Sequence, residues 1–150
     1  LKILNIDFFS FRAVNKFDLV VSNPPYFVNS TLSDTQNITI SRHLNESLEN
    51  LITVLYDCVK FGGRFCFIHP IRYRKEVESI FGRKPGLDYE EIFIRRNEQS
   101  RVTNIIYLVT KKYEESISMK TKENYFNLRK IDSSYSSEYI ESMKDFLTIF

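Results

Sequence analysis

Cysteine is scarce in this chain. Cys58 and Cys66 are the only two in 150 residues, too few for a disulfide framework and without a metal-ligand spacing. Two reduced thiols that pack as small hydrophobes fit a cytoplasmic setting, and no metal is expected. Long apolar runs are missing too. None is long enough to cross a bilayer, and no signal peptide precedes the first strand, so no membrane partner is expected. Charge of one sign is nearly absent, at net +2, which does not by itself announce nucleic acid. Tryptophan is absent, yet there are thirteen Phe and nine Tyr, enough for a core with rings left over for stacking. At 43% hydrophobic residues the chain is not a disordered one, and its length suits a single domain.

The charge that is present is unevenly spread. Residues 1–71 carry six basic and six acidic side chains, and residues 72–150 carry fifteen and thirteen. The cations of the second half gather in "IRYRK" (71–75) and "IRR" (94–96). Such runs are usually a solvated face, with a phosphate-contacting surface as the minority reading. Arg95 and Arg96 point to opposite faces of a strand, so at most one of them meets phosphate.

The pattern along the chain alternates strands and helices. "LKILNIDFF" (1–9) reads as a strand ending at Asp7, and "KFDLVVSN" (16–23) as a second, apolar on both faces like a covered parallel strand. A polar loop over 24–42 follows, long enough to be functional. Leu48, Leu51, Ile52, Leu55, Tyr56 and Val59 recur at helical spacing and predict a helix over 45–60, stopped by Gly62 and Gly63. "RFCFIHP" (64–70) reads as a strand and 71–86 as a shorter helix ending at Gly82 or Gly86. Residues 89–97 and 101–112 read as an antiparallel pair. Residues 113–124 read as a polar linker, and 139–150 as a last helix capped by Ser136 or Ser137. The order β, β, α, β, α, β, β, α implies an α/β sheet with an antiparallel edge.

Asn23-Pro24-Pro25-Tyr26 ends the second strand abruptly. Neither proline offers an N–H to a ladder and both fix φ. What remains is an amide, a rigidly aimed carbonyl and a ring at the carboxyl end of a buried strand, where α/β sheets collect ligands. Two acceptors facing the N–H bonds of a planar exocyclic amine, such as adenine N6, would draw its nitrogen towards sp³ and localise the lone pair. A neighbouring ring would stack on the base, worth roughly 1–3 kcal/mol. With a sulfonium leaving group no strong base is needed, and catalysis is positioning plus electrostatics.

"VVSNPPYF" resembles the (D/N/S)-PP-(Y/F/W) signature of the amino-methylating class I methyltransferases, which use S-adenosylmethionine. "NPPYF", "SRH" at 41–43, "RFCFIHP" and the tail "YSSEYIESMKDFLTIF" are most similar to the bacterial tRNA1(Val) adenine-37 N6-methyltransferases. The resemblance implies a Rossmann-like sheet, strands 3 to 7 of the family order 3-2-1-4-5-7-6. It implies tRNA as substrate and S-adenosylmethionine as cofactor. Asn23, Pro24, Pro25 and Tyr26 would be catalytic, Asp7, Phe8 and Asn23 would hold the cofactor, and Tyr26, Phe27, Arg42 and His43 would meet the substrate. His69, at a strand end, reads more readily as structural.

One departure stands out. The family's glycine-rich cofactor loop follows its first strand, whereas the four glycines here include no G-x-G. The 150 residues therefore read as the C-terminal two-thirds of a methyltransferase domain, without its cofactor-loop portion. Alternatives are a DNA adenine or protein glutamine N-methyltransferase, or a non-catalytic RNA-binding fragment.

Overall fold

A computed structural model describes residues 3–24, 48–113, 118–119 and 124–145. Strand β1 spans Phe17–Ser22. Helix α1 covers 48–58 of the described residues. Strand β2 is Val59–Pro70, followed by a 3-10 turn Ile71–Tyr73 and helix α2, Arg74–Phe81. Strands β3 (Leu87–Arg95) and β4 (Val102–Lys111) come next, then the short β5 (Ser118–Met119) and β6 (Asn124–Asn127), and helix α3, Ser137–Met143.

The described strands form one mixed sheet in the order β1-β2-β4-β3-β5, with β6 also on β3. β1 and β2 are parallel, β4 is antiparallel to β2 and β3, and β5 and β6 are parallel to β3. The expected mixed α/β sheet with an antiparallel hairpin is therefore present, with β5 and β6 added outside the hairpin, and β1-β2-β4-β3 reproduces the family order 4-5-7-6.

One face of the sheet carries the core. Phe65 and Phe67 of β2, Ile105, Tyr107 and Val109 of β4, and Leu87, Tyr89 and Phe93 of β3 pack with Leu48, Leu51, Ile52 and Leu55 of α1 and Val77, Ile80 and Phe81 of α2. The excess of phenylalanine and tyrosine is spent here. Phe67 stacks on Tyr107 with centroids 4.9 Å apart, and Phe81 meets Tyr89 edge-on at 4.7 Å, arrangements that add to simple burial. α2 stops where expected, at Gly82, whose N–H donates to the Glu78 carbonyl. Arg74 at its start makes two hydrogen bonds to the buried Glu91 carboxylate, at 3.1 and 2.7 Å.

Four expectations are corrected. Residues 3–7 have no regular secondary structure and Phe8–Ser10 is a 3-10 turn, not the end of a strand. Among the described residues that segment joins no ladder of the sheet. Second, Gly62 and Gly63 do not stop α1. β2 already begins at Val59, and the glycines lie in an irregularity where its register with β1 shifts between Phe17 and Leu19. A Cβ on Gly63 would stand 2.9 Å from the Asp18 carbonyl oxygen, so this close approach admits only glycine. Third, part of the 113–124 "linker" adds strands to β3. Fourth, Cys66 is only half-buried, because it points to the face of β2 away from the core, whereas Cys58 is buried.

At the amino end of the sheet, Lys111 is 3% exposed and donates to Asn15 Oδ1 and to the carbonyls of Tyr56 and Val59. A cation at the end of α1 suits the helix dipole and ties α1 and β4 to the start of β1. β1 itself is open. Leu19 and Val21 are 61% and 69% exposed, and β1 is a terminal strand of the sheet. Stability should follow this asymmetry. Phe81→Ala should cost about 3–5 kcal/mol in denaturant unfolding. Leu19→Ser, on the uncovered face, should change it by less than about 0.5 kcal/mol.

Candidate functional site

The parallel pairing of β1 with β2 decides where the Asn-Pro step emerges. Val20, Val21 and Ser22 lie opposite Phe65, Cys66 and Phe67. Asn23 follows directly, beside the Ile68–Pro70 end of β2, and lies on the side of β1 that carries Leu19 and Val21. Asn23 is exposed and Pro24 half-buried. The amide thus projects beyond the ladder and is not turned into the core. Pro24 cannot extend the strand, and its ring fixes the direction in which the following carbonyl leaves.

Pro25, Tyr26, Phe27, Arg42 and His43, the other expected catalytic and substrate residues, lie outside the described residues. Asp7 and Phe8 lie within them. Asp7 is exposed and caps the 3-10 turn, its Oδ1 accepting from the Phe9 N–H at 3.2 Å. Phe8 is half-buried and packs against the core cluster.

His69 ends β2 beside this site, on the core side. It is 7% exposed, with its ring 5.0 Å from that of Tyr73 in an edge-on contact. Burial first, and then the Arg72 charge, hold its pKa down to about 4. The structural reading of His69 fits this environment, because a neutral imidazole is what the position favours. Arg72 lies over the Tyr73 ring at 4.9 Å. These two residues follow β2 as Asn23 follows β1, so the turn after β2 borders the same edge. Sequence reading saw "IRYRK" as a charge cluster but gave Tyr73 no role; its place one turn beyond a strand-ending proline was the available signal. Arg74, held by Glu91, fixes this turn to the sheet.

Among the described residues there is no group of three or more His, Cys, Asp or Glu side chains placed to hold a metal. No described helix is long and apolar enough to cross a membrane.

The fold defines the broad class. A solved structure described as a predicted O-methyltransferase, from Agrobacterium tumefaciens, superposes with a TM-score of 0.61 at 16% identity, covering 89% of this chain and 53% of that one. The chain therefore shares the Rossmann-like fold of that structure. No family model matches it. Curated relatives are more particular. The chain is 35% identical over 81 residues to a tRNA1(Val) (adenine(37)-N6)-methyltransferase of Bacteroides thetaiotaomicron, covering 53% of this chain and 34% of the relative. It is 24% identical over 146 residues to a protein of the same name from a Flavobacteriaceae bacterium, covering 97% of this chain and 61% of that one. The chain thus spans between one third and three fifths of the length of these relatives, which carry the name the NPPYF resemblance implied.

The His69 environment has a pH consequence. Its folded pKa lies below the ordinary value of 6.5, so the unfolded chain binds the proton more readily. Stability is full above about pH 6.5 and declines as pH falls towards 4, by at most about 3 kcal/mol. Comparing pH-dependent unfolding of the parent with His69→Phe should show that this part of the acid slope disappears in the variant. NMR titration should find His69 still neutral at pH 6.

Proposed function

We propose that these 150 residues form the substrate-gripping part of an S-adenosylmethionine-dependent enzyme that methylates N6 of an adenine in tRNA. The observation that carries this reading is an exposed asparagine followed by proline at the carboxyl tip of β1, in a methyltransferase fold. The names of the matched relatives supply the tRNA substrate.

In this reading Asn23 Oδ1 and the Pro24 carbonyl accept the two N–H bonds of the adenine amine. The Pro24 carbonyl is aimed by a proline ring, and Asn23 directly follows the last rung of a parallel ladder, Ser22 opposite Phe67. Such preorganised dipoles are the main electrostatic contribution to catalysis. Tyr26, and with it Phe27, Arg42 and His43, belong to the substrate side by resemblance. A target base must leave its stack to reach them, which unpaired loop nucleotides do at low cost.

The fit to the cofactor is partial. The exposed Asn23 amide suits a group that bridges amine and donor, but Asp7 turns an oxygen to its own 3-10 turn, and no glycine-rich loop is at hand. S-adenosylmethionine, when bound, supplies a sulfonium methyl. We propose that its glycine-rich loop is carried by polypeptide that pairs with the open edge of β1. The short coverage of the relatives and the terminal place of β1 in the described sheet support this. The 150 residues alone should then bind the cofactor weakly or not at all; micromolar binding in calorimetry would contradict it.

The activity is tested by methyl transfer from labelled S-adenosylmethionine to tRNA transcripts, DNA and a release-factor peptide, using protein that includes the cofactor loop. Transfer to adenine N6 of tRNA is expected. Asn23→Ala should lower the rate about 100-fold or more with RNA affinity retained. Preferential transfer to DNA or to glutamine would replace the substrate assignment, and comparable turnover in Asn23→Ala would remove the amide from the mechanism.

A further inference from the structure

Several cations are neutralised where they stand: at the amino end of the sheet Lys60 pairs with Asp18 at 2.8 Å and Lys112 with Asp88 at 2.9 Å, Lys111 is buried against carbonyl oxygens, and after β2 Arg74 pairs with Glu91 at 2.7 Å. At the carboxyl end, Arg96, Arg101 and Lys130 are exposed and make no ion pair among the described residues. Topology puts these three together. Arg96 follows β3 and Arg101 precedes β4, where Arg95 lies opposite Val102. Lys130 follows β6, whose exit is bonded to β3 through Arg129 N–H to the Arg96 carbonyl at 2.7 Å.

Two further guanidinium groups are braced on rings beside them. Arg95 lies 4.6 Å over Tyr125 and donates to Asn127 Oδ1 at 2.7 Å; Arg129 lies 4.4 Å over Tyr135. Tyr135 in turn stacks on Tyr139 at 4.9 Å. Cation–π contact fixes a guanidinium in place without neutralising it as a carboxylate would. β1, β2, β4, β3 and β6 are successive neighbours, so the row extends about 19 Å from the Asn23 tip.

We infer that Arg96, Arg101 and Lys130, backed by Arg95 and Arg129, form a ridge that holds the RNA backbone of nucleotides flanking the target base. The inference rests on the proposed tRNA activity and adds the surface that would receive the substrate. Beside the ridge is a hollow of about 680 Å³, lined by Glu98, Asn127, Arg129, Lys130, Asp132 and Glu138 among others. Its three carboxylates outnumber its two cations, so phosphate is held along the ridge and not within the hollow. Exposed basic side chains along a ridge suit a backbone contact that positions without reading sequence.

The test is fluorescence anisotropy of the 150-residue chain with a labelled, unmodified tRNA transcript across a salt series. The Arg96→Ala, Arg101→Ala, Lys130→Ala triple variant should raise Kd about tenfold or more. It should reduce the slope of log K against log salt by about 2. A Lys60→Ala, Lys112→Ala variant at the opposite end should leave both unchanged. Equal losses from the two variants, an unchanged triple variant, or tighter binding of poly-glutamate than of RNA would overturn the ridge. The readout is binding, so it separates from the activity. RNA held through the ridge, with no methyl transfer by protein that includes the cofactor loop, would refute the activity and support the ridge. Transfer to tRNA by a triple variant of unchanged affinity would refute the ridge alone.

Discussion

The carbonyl oxygen of Asp18 passes so close to Gly63 that a side chain there would stand 2.9 Å away, and the geometry of the site follows from that approach. The irregularity around Gly62 and Gly63 lets β2 begin early at Val59 and still fall into register with β1 from Leu19 onward. That register fixes the last rung of the ladder at Ser22 and Phe67, and so fixes the point where Asn23 leaves the sheet. A slip of one residue would turn every side chain of β1 to the other face and swing the Asn23 amide towards the core.

The rigidity behind this point comes from the other strands. β2, β4 and β3 share a continuous aromatic and aliphatic face with α1 and α2, and the Arg74 pair with Glu91 locks the turn that follows β2. Breaking a pair whose carboxylate is buried leaves an uncompensated charge, so this turn has one favoured position. β1 lies at the boundary of the packed region. One of its edges and one of its faces are held by β2 and the core, while Leu19 and Val21 face solvent. Its sequence is that of a strand covered on both sides, and its surroundings among the described residues cover one.

Much of this was legible in the sequence because local chemistry spoke for itself. Pro24 ended β1, Gly82 ended α2, Ser136 capped α3 with its hydroxyl accepting from the Tyr139 N–H, and the alternation of 89–112 gave the hairpin. What failed had non-local causes. "LKILNIDFF" has the composition of a strand, but a strand needs an edge to pair with. The paired glycines read as a helix stop because sequence does not reveal that Asp18 will come close to one of them. β5 and β6 are short, polar and dependent on the edge of β3. For the site, the Asn-Pro-Pro-Tyr tract was visible as chemistry. The row of cations with no ion pair among the described residues was not visible, since Arg96, Arg101 and Lys130 converge only when the sheet assembles.

Two oxygens at the tip of β1, from Asn23 and Pro24, are proposed to grip an exocyclic amine. The most direct measurement is a structure of the enzyme with an adenine-containing RNA and a non-reactive analogue of S-adenosylmethionine. The account places adenine N6 within about 3 Å of both Asn23 Oδ1 and the Pro24 carbonyl oxygen. An adenine bound with its amine away from these two oxygens would contradict it.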